Sequence, residues 1–265
     1  MLPSLVWLSY YLRKDAHPEP KRMILKIFLW GAFITLPVFF IQIGLSEIIE
    51  IISSSLGLPY SPCIPSPYST CPIFPHLNYI FAQSLSNLNF LSIVIVLIYW
   101  FLIISFSEEF FKYLVIRVKI INNPYLDEPL DIMLYMVIAA LGFSALENIL
   151  YLFAPAGQMS FNQIIGRTLT IDFIRFIGAT FLHTLCSAII GYSLALSFCE
   201  TKRKSIYIAA GILIATVLHG IYNFSIMTLD GYIKFAIPVV VILTLAFLVF
   251  SGFEKLKRMK SICKT

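Results

Sequence analysis

The sequence predicts an all-α, polytopic transmembrane helix bundle of six to seven spans, and three observations predict it. Hydrophobic residues make up 59% of the 265-residue chain and charged residues only 12%, too few to cover a soluble domain of that size. Mean hydropathy is +0.87. Six segments reach the ~20 apolar residues that a helix needs to cross the hydrocarbon core. No internal repeat and no separate soluble domain interrupts them, so residues 1–265 read as one multi-pass domain.

Met1–Leu12 is apolar but short, and is expected as an interfacial segment, a tilted helix or a seventh span. It lacks a basic n-region and a small-residue cleavage site, so it does not read as a signal peptide. The spans are expected at about Ile24–Leu45, Asn89–Ile116, Leu130–Phe153, Phe173–Phe198, Ile206–Thr228 and Tyr232–Phe253. The second is too long for a perpendicular crossing and must tilt or protrude. An outer loop is expected at about residues 46–78, Pro-rich around Cys63 and Cys71, where a disulfide and two free thiols are equally compatible. Asn78–Asn87 and Phe161–Thr170 read as interfacial approaches, and residues 254–265 as a basic tail.

Orientation follows from lysine and arginine. One side collects Arg13, Lys14, Lys21, Arg22, Lys26, Arg117, Lys119, Lys202, Arg203, Lys204, Lys255, Lys257, Arg258, Lys260 and Lys264, whereas the other holds Arg167 and Lys234. This asymmetry predicts a cytoplasmic C-terminus in the cell membrane. It also accounts for the net charge of +5 without a nucleic-acid partner, since the basic residues sit in short clusters between apolar runs.

Glu108, Glu109, Lys112, Glu147 and Arg175 all fall inside predicted spans, with Asn148, His183, His219 and Asn223. A charged side chain at a span centre costs about 2.5–3.5 kcal/mol on insertion scales. Such groups must converge on one another or on a wet cavity. Glu108 and Lys112 are four apart on one helix face, and Glu109 is three from the same lysine, so spacing leaves open which glutamate is neutralised. His219 and Asn223 share a face. Thr168, Asp172, Arg175 and His183 follow one stripe, and Arg175 is expected to pair structurally with Asp172. Two carboxylates exceed one lysine's charge, which favours a reactive role for one of them. Glu147, His183 and His219 lie nearer the outer ends of their helices, so the site is expected in the outer half of the membrane.

The string Glu108-Glu109-Phe110-Phe111-Lys112 resembles the EExxK motif of the PrsW family of intramembrane proteases, relatives of the CAAX prenyl endopeptidases. Phe143-Ser144-Ala145-Leu146-Glu147-Asn148-Ile149-Leu150-Tyr151 is similar to that family's second motif. His183 with Gly191-Tyr192 is similar to the third, and Leu218-His219-Gly220-Ile221-Tyr222-Asn223-Phe224 to the fourth. Leu8-Ser9-Tyr10-Tyr11 through Pro37 and Gln42 extends the resemblance over nearly the whole chain, although Asn223 stands where many members carry Asp. The resemblance implies proteolysis of a single-pass or otherwise membrane-anchored protein, such as an anti-sigma factor, near the extracytoplasmic face.

Peptide hydrolysis needs an activated water, an oxyanion stabiliser and a proton for the leaving amine. The expectation is that Glu108 or Glu109 is the general base, assisted by His183, with His219 and Asn223 on the oxyanion. Lys112 would keep the other glutamate ionised, and Glu147 with Asn148 would complete the site. No cofactor is expected. The alternative is zinc on Glu108, His183 and His219, although the chain lacks HExxH. A proton-coupled transporter and a non-catalytic scaffold are the competing classes, the former disfavoured by the missing inverted repeat.

Overall fold

The computed structural model describes residues 2–12, 19–56, 90–121, 126, 128–152, 166, 173, 175, 177–229 and 231–259. Among these, every regular element is helical: α1 (Leu2–Leu12), α2 (Lys21–Ser55), α3 (Phe90–Lys119), α4 (Pro129–Leu152), α5 (Ala179–Cys199), α6 (Lys204–Thr228) and α7 (Ile233–Lys257). Six of them, α2 to α7, are long and apolar enough to cross a membrane. The protein is a multi-pass membrane bundle.

The centre of the bundle is α4, whose most apolar stretch is 94% buried. It packs against α1, α2, α3, α5 and α7. Its closest approach is to α2, where two glycines remove the side chains that would hold the backbones apart. A Cβ on Gly31 would lie 2.1 Å from the Ala139 carbonyl oxygen, and one on Gly142 2.0 Å from that of Phe28. Small residues at such crossings are how membrane helices gain dispersion contact without a hydrophobic driving force. Thr35 adds an interhelical hydrogen bond, its Oγ1 donating to the Phe143 carbonyl at 3.3 Å. The outer helices α2 and α7 turn Phe33, Phe40, Val240, Leu243 and Phe247 outward, the surface expected of lipid-facing spans.

Three boundaries differ from expectation. Residues 46–55, placed in the outer loop, continue α2 as far as Ser55. Hydropathy falls off here, whereas the helix runs on because Glu47-Ile48-Ile49-Glu50-Ile51-Ile52 contains no breaker. At 35 residues, α2 is about 52 Å long, well beyond the ~30 Å core. Secondly, α5 begins at Ala179, with a turn at Gly178 separating it from the helical residues Phe173, Arg175 and Ile177. Thirdly, α7 runs on past the expected Phe253 to Lys257, because Glu254, Lys255 and Leu256 contain no breaker. As expected, α1 is short: its 11 residues measure about 16 Å against a hydrocarbon core of ~30 Å. It lies against α4 and α5, with Trp7 stacked on Phe181 at 4.3 Å between ring centroids. Cys63, Cys71, Asn78–Asn87, Thr168 and Asp172 lie outside the described residues, as does Phe161–Thr170 apart from Gly166.

The long second span is one helix with an unusual middle. Phe90–Leu97 is α-helical, Ile98–Phe106 is π-helical, and Ser107–Lys119 resumes the α-helix. Its basic end meets the basic start of α2, where Lys119 Nζ sits 3.9 Å from the Trp30 ring centroid.

Candidate active site

Just after the π-helical stretch, Glu108 and Glu109 enter the bundle on the first turn of α-helix. π-helical turns are rare and recur at functional sites, because the wider turn re-aims the side chains that follow. Here the π segment packs on α6, where Gly220 makes room: a Cβ there would fall 2.5 Å from Phe101 Cδ1. Both glutamates are buried, 5% and 0% exposed, yet their surroundings differ completely.

Glu109 is saturated. Its Oε1 accepts from Lys112 Nζ at 2.6 Å and from His219 Nδ1 at 2.9 Å. Its Oε2 accepts from Ser187 Oγ at 3.3 Å. Lys112, fully buried beneath the Phe143 ring, is therefore the partner of Glu109, at i,i+3. The ambiguity left by spacing is resolved by α5 and α6, which bring Ser187 and His219 to the same carboxylate.

Glu108 is half satisfied. Gln42 Nε2, from α2, donates to Oε1 at 3.2 Å and holds Ser107 Oγ at the same distance. Glu108 Oε2 is buried with no hydrogen-bond partner among the described residues. It faces His183 Nδ1 at 3.8 Å and His219 Nε2 at 3.9 Å, too far for direct hydrogen bonds and well matched to one intervening small species.

The two histidine rings stand edge to face, 5.0 Å apart, and their partners set their tautomers. Lys112 Nζ donates to His183 Nδ1 at 3.0 Å. The proton of neutral His183 is therefore on Nε2, which donates to Glu147 Oε2 at 2.9 Å. His219 donates from Nδ1 to Glu109 and turns Nε2 toward Glu108. A carboxylate thus orients the outer nitrogen of each ring, as for histidines poised to act as bases or ligands.

Glu147 lies on α4 and pairs with Arg175, whose Nη2 is 2.8 Å from Oε2. Arg175 Nε also donates to Asn148 Oδ1. Asn148 Nδ2 in turn donates to Thr180 Oγ1 at 3.1 Å, which also accepts from Ser144 at 3.0 Å. The expected partner Asp172 lies outside the described residues; among those described, the Arg175 side chain joins Glu147 and Asn148, within the site network.

Glu108, Glu109, Lys112, Glu147, Asn148, His183 and His219 are therefore brought together. Asn223, one turn beyond His219 on α6, is half-buried, and no hydrogen bond joins it to this cluster. Reading the sequence residue by residue gave no role to Gln42, Ser187 and Thr180. Their signal was the period: Gly31, Thr35, Val38, Gln42 and Ser46 form one buried stripe on α2, and Thr180, His183 and Ser187 another on α5.

Glu108, His183 and His219 present one donor atom each within 4.8 Å of one another. This set fits a divalent cation: a carboxylate oxygen without a protein partner, and two ring nitrogens whose opposite nitrogens are carboxylate-bound. The competing feature is Lys112, whose ammonium occupies His183 Nδ1.

Residues 67–251 match the model of the PrsW family, described as intramembrane metalloproteases. Among curated proteins, the chain is 28% identical over 241 residues to Protease PrsW of Oceanobacillus iheyensis, covering 91% of this chain and 87% of that protein. It is 25% identical over 262 residues to Protease PrsW of Bacillus subtilis, covering 98% and 93%. No solved structure matches.

Proposed function

Since the chain belongs to the PrsW family of intramembrane proteases, we propose that it hydrolyses a peptide bond of a membrane-anchored, anti-sigma-factor-like protein, with Glu108 as the base that activates water. The observation that carries this reading is the buried Glu108 Oε2, unbonded among the described residues and flanked by two histidine nitrogens. Glu109 is unsuited to the task because Lys112, His219 and Ser187 already occupy it.

In this reading water sits between Glu108 Oε2 and His183. Glu108 takes one proton while the water oxygen bonds to the scissile carbonyl carbon, and the carbonyl π pair moves to oxygen. His219 and Asn223 stabilise that oxyanion, with Glu109 as counter-charge to a doubly protonated His219. Collapse breaks the C–N bond, and the proton held by Glu108 passes to the leaving amine. The gathering of basic residues at one end of the bundle supports a cytoplasmic C-terminus in the plasma membrane. It also supports a site reached from the extracytoplasmic side, since Glu147 lies near the end of α4 and His183 near the start of α5.

A second reading is supported by the donor set itself. Zinc would be held by Glu108, His183 and His219, and would supply a Lewis acid that polarises water and carbonyl. Lys112 would first have to leave His183 Nδ1, remaining on Glu109.

The test is cleavage of a tagged, membrane-anchored substrate by the purified protein in proteoliposomes. Glu108→Gln is expected to abolish cleavage with folding intact, and wild-type rates in that variant refute the assignment. Metal analysis and activity after chelation separate the readings. A stoichiometric metal whose removal stops cleavage assigns the triad to a cation, and unchanged cleavage assigns it to water.

A further inference from the structure

Resting on the protease reading, we infer that Arg175 is a positioning residue that sets the catalytic ring of His183 through Glu147. Its guanidinium meets two consecutive residues of α4, pairing with Glu147 Oε2 at 2.8 Å and donating to Asn148 Oδ1. The Glu147 oxygen it holds is the one that accepts the His183 Nε2 proton. Asn148 is itself anchored through Thr180, three residues before His183 on α5. The arginine therefore closes a ring of contacts running Arg175, Glu147, His183 and back through α5, Thr180 and Asn148.

Two physical demands make this more than a stray ion pair. Glu147 in a membrane interior, with only a neutral imidazole as partner, is an expensive charge. Arg175 neutralises it without competing for His183. A planar fork is also needed to engage a carboxylate and an amide oxygen together, whereas a lysine ammonium supplies the charge without the fork. With Arg175 removed, Glu147 is free to turn from His183, the Nε2 proton loses its acceptor, and the ring can rotate or change tautomer. The pair is also the wettest part of the network, its side chains 13% and 18% exposed against 0–7% for the two glutamates, Lys112 and the two histidines, so solvent stands ready to take the place of a lost partner.

The experiment compares wild type, Arg175→Ala, Arg175→Gln and Arg175→Lys with Glu108→Gln in proteoliposomes, measuring kcat, KM and thermal unfolding. Loss of an outer-shell partner of a functional histidine typically costs 10–100-fold. Arg175→Ala is expected to lower kcat by about that factor with KM within about twofold, and Arg175→Lys to recover part of it. If the alanine variant does not fold, Arg175→Gln at native unfolding temperature provides the same comparison. Wild-type kcat in a folded Ala or Gln variant, or an effect confined to KM, overturns the inference. So does a kcat loss that merely follows loss of folded protein. An active Glu108→Gln variant overturns the protease assignment of Glu108 instead, so the two failures are distinguishable.

Discussion

Deleting the Lys112 charge offers the sharpest test of how the site holds its ions. Lys112→Met keeps an unbranched side chain one atom shorter and removes the ammonium that lies 2.6 Å from Glu109 Oε1 and 3.0 Å from His183 Nδ1. Coulomb attraction at that shorter separation is about 6 kcal/mol with an effective dielectric constant of 20. Much of it offsets the desolvation of two fully buried groups, so the net worth of the pair is small. Breaking it from one side is another matter: an uncompensated buried charge typically costs about 3–5 kcal/mol. Lys112→Met should therefore destabilise the bundle by that amount, whereas Glu109→Gln/Lys112→Met should recover most of the loss, because both charges are gone. The assay is reversible unfolding in mixed micelles, followed by helical signal, for wild type, both single variants and the double. If Lys112→Met costs less than about 1 kcal/mol, or the double variant is no more stable than it, Glu109 is not the charge that Lys112 compensates. Cleavage should remain low in the double variant even where stability returns, since Glu109 no longer orients His219 as a carboxylate.

Two further perturbations separate packing from chemistry. Gly142→Ala places a methyl group 2.0 Å from the Phe28 carbonyl oxygen, so α2 and α4 must move apart. A cost of about 1–3 kcal/mol is expected, read as a lower unfolding temperature, and an unchanged temperature would contradict the close crossing. Gly220→Ala pushes instead on the Phe101 ring of the π-helical stretch, one short segment before Glu108. Its effect should appear in kcat, lowered about 10- to 100-fold for a displacement near 1 Å, more than in stability. Equal kcat at equal stability would show that the π segment does not set the glutamates.

How far the sequence could be read depended on whether a feature was local. The end of α6 was legible because Thr228 falls where the apolar run ends, whereas α7 runs on past the expected Phe253 to Lys257. The C-terminal end of α2 was not legible either, since Ser46–Ser55 loses hydropathy without leaving the helix. The π-helical stretch was invisible to periodicity. Apart from the hydroxyls of Tyr99 and Ser105, Ile98–Phe106 is apolar, and so nearly uniform a run has no polar face whose drift could betray a wider turn. At the site, the cost of burying charge was enough to predict that Glu108, Glu109, Glu147, His183 and His219 meet. It could not say how they pair: Glu108–Lys112 and Glu109–Lys112 are both permitted by helix geometry, and the decision came from Ser187 and His219 on other helices.

The same reasoning explains why the two adjacent glutamates are proposed to have different roles. Among the described residues the cluster contains three carboxylates, Glu108, Glu109 and Glu147, and two permanent cations, Lys112 and Arg175. Lys112 is committed to Glu109 and Arg175 to Glu147, so the unmatched carboxylate is Glu108. Among the described residues its hydrogen-bond donor is the neutral amide of Gln42, and that reaches one oxygen. A buried negative group with one unmet oxygen gains most from the species that brings it a proton or a positive charge, whether a water molecule about to lose a proton or a cation. Both readings of the chemistry therefore place the reacting atoms at Glu108 Oε2. They differ in the ammonium of Lys112, which stays on His183 for water and must withdraw for a metal.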